Sequence, residues 1–292
     1  MKYNAEVVSV REVGEGLRIF KVKPDFSIDS WKAGQYSTLG LDGSEARVSG
    51  AQKEELAKVK LKKVQERAYS ISSPIFEGDY ELADHNELDY LEFYISLVKT
   101  GHKEYPPYLT PRLFMLGKGD RVRLGKEISG NYTLGNVDKF DNIILISTGT
   151  GLAPHNTMLS QLLRDGHEGK IIIVESNRYE YEFGYNDQLQ EISESYSNVF
   201  HERMVTSERE DYYIENLFSD NVLEDKYDFK IKPEDTKVYL CGSPRMIGAP
   251  KVVNGKEVFA DKSGMVFLLQ SRYGLETNCE DDNGHINFEK YW

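Results

Sequence analysis

Residues 67 to 74 read Arg67-Ala68-Tyr69-Ser70-Ile71-Ser72-Ser73-Pro74, and the N-terminal half turns on this stretch. Strand alternation puts Arg67, Tyr69 and Ile71 on one face and Ala68 and Ser70 on the other. A cation and a flat aromatic on one short strand suit a ligand with an anionic part and a planar ring. Ser72 and Ser73 add small donors before Pro74 stops the ladder. The alternative is an ordinary surface strand entering a turn, and so short a run does not separate the two.

Upstream, residues 3–10 and 17–22 alternate as two strands around a Gly14-Glu15-Gly16 turn. The run Ala33-Gly34-Gln35-Tyr36 follows, with Gly34 where a chain often needs a positive φ or a close approach. Residues 42–52 read as a polar loop. Residues 53–67 carry Lys53, Lys58, Lys60, Lys62, Lys63 and Arg67. They form either an edge hairpin guarded by lysines or a local basic patch.

Downstream, residues 91–98 are a strand rich in aromatic and β-branched types. Thr110 is the expected N-cap of a short helix opened by Pro111, whose first N–H groups can face an anion. Residues 119–124 turn into another strand. Many short strands and few helices up to about residue 136 predict an antiparallel barrel.

The pattern then changes. Residues 142–147 form a continuous apolar run, as in a strand buried on both faces. Thr148-Gly149-Thr150-Gly151-Leu152-Ala153-Pro154 leads into an amphipathic stretch ending near Arg164. Further strands are expected at 170–174, 199–205 and 237–240, with a helix at 185–196. Strands alternating with helices predict a parallel sheet and a Rossmann-like domain. The expected division is 1–136 and 137–292. A strand, glycine loop and helix present N–H groups to a phosphate, although the loop is not G-x-G-x-x-G.

The totals set outer limits. A chain of 292 residues suits two domains, because single cores rarely grow beyond about 250 residues. The net charge of −12 argues against nucleic acid and anionic membranes as partners. The run 143–146 is far too short to span a bilayer, and residues 1–6 carry no apolar signal region, so a cytoplasmic protein is expected. Two cysteines, Cys241 and Cys279, cannot build an iron–sulfur cluster or structural zinc site alone, and no metal is expected.

R-A-Y-S-I-S-S-P resembles the flavin-binding signature of the ferredoxin-NADP reductase family, in its bacterial branch. A-G-Q-Y resembles its second flavin-domain signature, T-G-T-G-L-A-P its nucleotide pyrophosphate loop, and Cys241-Gly242-Ser243-Pro244 its nicotinamide-side C-G-x-P. The ending Tyr291-Trp292 resembles the branch's aromatic terminus. The resemblance runs from Gly34 to Trp292, weakest over 42–66 and 250–283. It implies a six-stranded FAD barrel, then an NADP-binding α/β domain, and electron transfer between NADP(H) and ferredoxin or flavodoxin through FAD.

By the same resemblance FAD is held by Arg67, Ala68, Tyr69, Ser70, Tyr94, Ile95, Ser96, Leu97, Tyr108, Leu109, Thr110, Thr150 and Trp292, the flavin lying between Tyr69 and Trp292. NADP is held by Thr148, Gly149, Gly151, Asn177, Arg178, Arg209, Cys241, Gly242 and Ser243. Arg178 would meet the 2′-phosphate, which Glu175 and Glu208 would oppose; a third family arginine has no counterpart, since Tyr212 and Tyr213 occupy its region. Ser70, Cys241, Glu289 and Trp292 would be the catalytic set, Cys241 beside the nicotinamide rather than as a nucleophile. Acidic carriers call for a basic face, for which 53–63, Lys118, Arg121 and Arg123 are candidates. A monomer is expected. The rival functions are a reductase serving an oxygenase or cytochrome, and an electron-transfer subunit of a larger complex.

Overall fold

The computed structural model describes residues 2–54, 63–77, 81–102, 106–208, 212–260, 262–277 and 284–291. Two compact units divide it, Met1–Thr133 and Leu134–Trp292.

In the first unit the strands are β1 (Ala5–Gly14), β2 (Leu17–Pro24), β3 (Tyr36–Asp42), β4 (Val64–Ser70), the small pair β5 (Phe76–Glu77) and β6 (Glu81–Leu82), and β7 (Leu91–Ser96). Helix α1 (Thr110–Leu113) and β8 (Arg121–Leu124) complete it. Six strands form the expected antiparallel sheet in the order β4-β3-β8-β1-β2-β7. Alternation explains the core. Val122 and Leu124 of β8 point inward, with Phe20, Leu39, Leu41 and Phe93 around them, while Arg121 and Arg123 face out. Gly34 has φ +95°, so the turn into β3 requires the glycine.

Beyond β4 the chain leaves β3 for β7. Ile71 N–H donates to Gln35 O at 3.0 Å, and Ser72 N–H donates to Glu92 O at 2.8 Å. This bridge joins the two edge strands of the sheet. It also corrects the expected alternation. Arg67 and Ala68 are exposed, Tyr69 is half-buried, and Ile71 is fully buried. Burial rises along the stretch because the strand ends at Ser70 and the chain dives into the core.

The helix start differs by one residue. Leu109 is the cap and Thr110 the first helical residue, with no side-chain cap. The Thr110 hydroxyl instead accepts the Val98 N–H at 3.1 Å.

The second unit runs β9 (Asn142–Thr148), α2 (Leu152–Arg164), β10 (Ile171–Asn177), α3 (Asn186–Ser195), β11 (Val199–Val205), α4 (Ile214–Ser219), α5 (Val222–Lys226), β12 (Thr236–Gly242) and α6 (Pro244–Ile247). It ends with a hairpin of β13 (Lys251–Val253) and β14 (Lys256–Val258), then α7 (Met265–Tyr273) and β15 (Ile286–Lys290). The five-stranded sheet is parallel, in the order β11-β10-β9-β12-β15. Helices on its faces leave β9 and β10 almost wholly buried, which accounts for their unbroken apolar runs. The hairpin, α7 and β15 have no counterpart in the sequence expectations. Tyr291 N–H donates to Gly242 O at 2.9 Å, so the ladder continues past β15. No helix among the described residues is long and apolar enough to cross a membrane.

Candidate functional site

The strand order reverses at β9: the chain moves outward to β10 and β11, then returns to lay β12 on the other side. Open α/β sheets bind ligands at the carboxyl ends of strands at such a point. Here the ends are Thr148-Gly149 and Gly242-Ser243.

Two glycines let these ends touch. A Cβ on Gly151 would come within 2.6 Å of the Cys241 carbonyl carbon. A Cβ on Gly242, whose φ is +124°, would come within 2.6 Å of Thr148 O. The Ser243 N–H then donates to Thr148 Oγ1 at 2.8 Å, tying the two loops together. Gly149 has a different role: its φ is +56° and no atom crowds a Cβ there. It supplies the turn, and Gly151 the close approach. Thr150 sits half-buried in the 3₁₀ turn Gly149–Gly151.

A cavity of about 690 Å³ opens over this junction, within the usual range for small-molecule sites. Of the residues expected to hold NADP, Thr148, Gly149, Asn177, Arg178 and Ser243 line it, together with Ser176, Thr206, Tyr213, Arg245, Lys262 and Phe267. The loop after β10 is held by Glu182, which accepts the N–H groups of Arg178 at 2.9 Å and Tyr179 at 3.0 Å. That leaves the exposed Arg178 guanidinium over the Tyr179 ring, 5.2 Å from its centroid. Tyr213 offers a half-exposed ring, and Arg245 lies 6.0 Å from its centroid. Glu215 also lines the cavity; burial raises its carboxyl pKa, and the Arg245 charge opposes the rise.

Glu175 does not oppose a phosphate in this cavity. It is fully buried in β10, accepts Asn177 Nδ2 at 2.8 Å, and lies 3.4 Å from His201 Nε2. Arg209 and Trp292 lie outside the described residues.

Cys241 is fully buried, opposite Ser147 on one side and Glu289 on the other. Burial, then the Glu289 charge, pushes its thiol pKa well up. The thiol therefore stays protonated, against a nucleophilic role.

In the first unit, β4 is an edge strand carrying the exposed Arg67 and half-buried Tyr69, with Ser70 buried at its end. Burial raises the Tyr69 hydroxyl pKa, so Tyr69 is a neutral aromatic surface. Tyr94, Ile95 and Leu109 are buried, Leu97 and Thr110 half-buried, and Ser96 exposed. Tyr108 is buried, its hydroxyl donating to Leu41 O at 3.2 Å and its ring lying 4.3 Å under the Arg112 guanidinium.

The family profile for an oxidoreductase NAD-binding domain matches residues 145–251, which spans the glycine loop and C-G-S-P. A flavodoxin/ferredoxin–NADP reductase of Buchnera aphidicola (Schizaphis graminum) is 26% identical over 295 aligned positions, covering 99% of this chain and 98% of that one. Over almost its whole length the chain is similar to ferredoxin/flavodoxin–NADP reductases. The Escherichia coli K12 flavodoxin/ferredoxin–NADP reductase is 29% identical over 223 positions, 74% of this chain and 75% of that one. The fold agrees with a ferredoxin NADP+ reductase from Neisseria gonorrhoeae crystallised with FAD and NADP, at TM-score 0.73 and 21% identity over the full length of both chains.

Proposed function

We propose that this chain is a flavoprotein reductase carrying electrons between NADP(H) and ferredoxin or flavodoxin through FAD. The observation that carries the reading is the stitched glycine junction beneath a cation-bearing cavity at the sheet's reversal point. It suits a dinucleotide, with pyrophosphate over Thr148-Gly149 and adenosine toward Asn177, Arg178 and Tyr213. The β4 edge fits the flavin nucleotide, with Arg67 for an anionic part, Tyr69 for a planar ring and Ser70 as a small donor. Bound FAD would exchange hydride with nicotinamide and release electrons singly. The chain's residues bind and orient: Ser243 and Gly242 shape the nicotinamide side, and Cys241 fills the strand end as a small neutral side chain.

The carrier would dock on positive charge. Arg121 is already paired with Asp25 and Glu6, and Arg123 with Glu66 at 3.4 Å, so these two cations are locally neutralised. That leaves Lys118 and the lysines of 53–63 as the candidates for a basic face, of which 58, 60 and 62 lie outside the described residues. A cytoplasmic, monomeric enzyme is part of this reading.

The test is the visible spectrum of the purified protein, followed by anaerobic NADPH or NADH. A flavin spectrum bleached much faster by NADPH supports the reading. Bleaching by NADH alone moves it to another reductase, and a colourless protein that takes up no FAD refutes it.

A further inference from the structure

The cavity carries a second cationic wall that the strand-end arginine does not account for. Arg245 comes from α6, and Lys262 from the segment between the β13–β14 hairpin and α7. Both are exposed. The described lining residues include three cations, Arg178, Arg245 and Lys262, and two carboxylates, Glu182 and Glu215. Three cations against two carboxylates leave a local surplus of positive charge in a chain of net −12. Glu182 is further occupied by two backbone N–H groups.

Position selects the phosphate. The pyrophosphate belongs at the reversal point, over Thr148-Gly149. Arg245 reaches away from that point, to within 6.0 Å of the Tyr213 ring centroid. Tyr213 opens α4 just after β11, on the side of the sheet where the ends of β10 and β11 receive adenosine. A guanidinium there meets the ribose end of a dinucleotide, where NADP(H) differs from NAD(H) by a 2′-phosphate dianion.

Resting on the NADP(H) reading above, we propose that Arg245 and Lys262 are specificity-determining residues. They grip the 2′-phosphate together with Arg178, which lines the same cavity. Among the described residues between β11 and α4 none is a cation, and α6 with the hairpin segment brings further charge to the cavity.

The experiment is calorimetric titration of the FAD-loaded full chain with adenosine 2′,5′-bisphosphate and, separately, adenosine 5′-monophosphate. Wild type, R245Q, K262Q and the double variant are compared, with thermal melts to establish folding. The wild type is expected to prefer the bisphosphate. The double variant is expected to bind it at least tenfold more weakly and the monophosphate unchanged, each single variant falling between. The NADPH/NADH ratio of kcat/KM should drop by the same factor. Equal weakening of both nucleotides overturns the proposal and moves these cations to the shared 5′-phosphate end. Unchanged bisphosphate binding in the double variant also overturns it. Failure of the parent reading shows separately, as a wild type without flavin or without affinity for either nucleotide.

Discussion

Gly151 packs against the Cys241 carbonyl so closely that a Cβ would sit 2.6 Å from the carbonyl carbon. Neither backbone has room to withdraw, because Cys241 is paired on both sides, with Ser147 of β9 and Glu289 of β15, and Gly151 leads directly into α2. Gly151→Ala should therefore destabilise the second unit by about 1–3 kcal/mol, the usual cost of overpacking, and weaken nucleotide binding by spreading the junction. Gly149→Ala meets no neighbour and should cost only about 1–2 kcal/mol from its left-handed backbone. Urea unfolding combined with nucleotide titration checks the contrast: Gly151→Ala should lose more affinity per unit of stability lost.

A second prediction concerns Arg112, which is 2% exposed. Its two terminal nitrogens meet both oxygens of Glu54, at 2.9 and 2.6 Å, and also donate to Tyr108 O and Gly43 O. Truncating one partner strands a buried charge, so Glu54→Gln should cost about 3–5 kcal/mol. Replacing both residues with leucine should cost less than the sum of the singles. Arg112→Lys should not rescue, since an ammonium cannot match the two-pronged geometry. A double-mutant cycle by denaturant melts measures this directly.

Much of this architecture is written in local patterns. The runs of β9 and β10 announce a doubly covered parallel sheet, and the glycines of 148–151 mark the turn into α2. Another feature was legible and was not read. Asn254-Gly255, preceded by Val252-Val253, is the strongest short hairpin signal, and both residues have positive φ, 52° and 71°. The roles of Arg245 and Lys262 were not legible, because only tertiary folding brings α6 and the hairpin segment to one cavity. Likewise nothing local in the sequence shows that Asp25 already holds Arg121.

Acid should act on the second unit through His155. This residue of α2 is 1% exposed, and burial lowers its pKa to about 3. The folded pKa lies below the unfolded value of about 6.5. The unfolded chain therefore binds an extra proton between these limits, and the stability contributed above pH 6.5 is lost as pH falls toward 3. The slope from this one group is about 1.4 kcal/mol per pH unit. His155→Leu should flatten that limb relative to wild type. Unfolding free energies at pH 7, 6 and 5 read the slope, whatever the substitution does to the absolute level.

Glu215 should respond in the opposite sense. Burial raises its carboxyl pKa, with Arg245 opposing the rise. A raised folded pKa contributes stability that is complete below the unfolded value and lost as pH rises through the folded one. Ionised Glu215 is thus a cost to the fold at neutral pH, and its charge also opposes a phosphate in the same cavity. Glu215→Gln should melt at a higher temperature than wild type at pH 8 but at the same temperature near pH 3. At pH 8 it should bind adenosine 2′,5′-bisphosphate severalfold more tightly, the gain shrinking as pH falls and wild-type Glu215 becomes protonated. A gain that did not vary with pH would mean that shape rather than charge is what glutamine changes at this position.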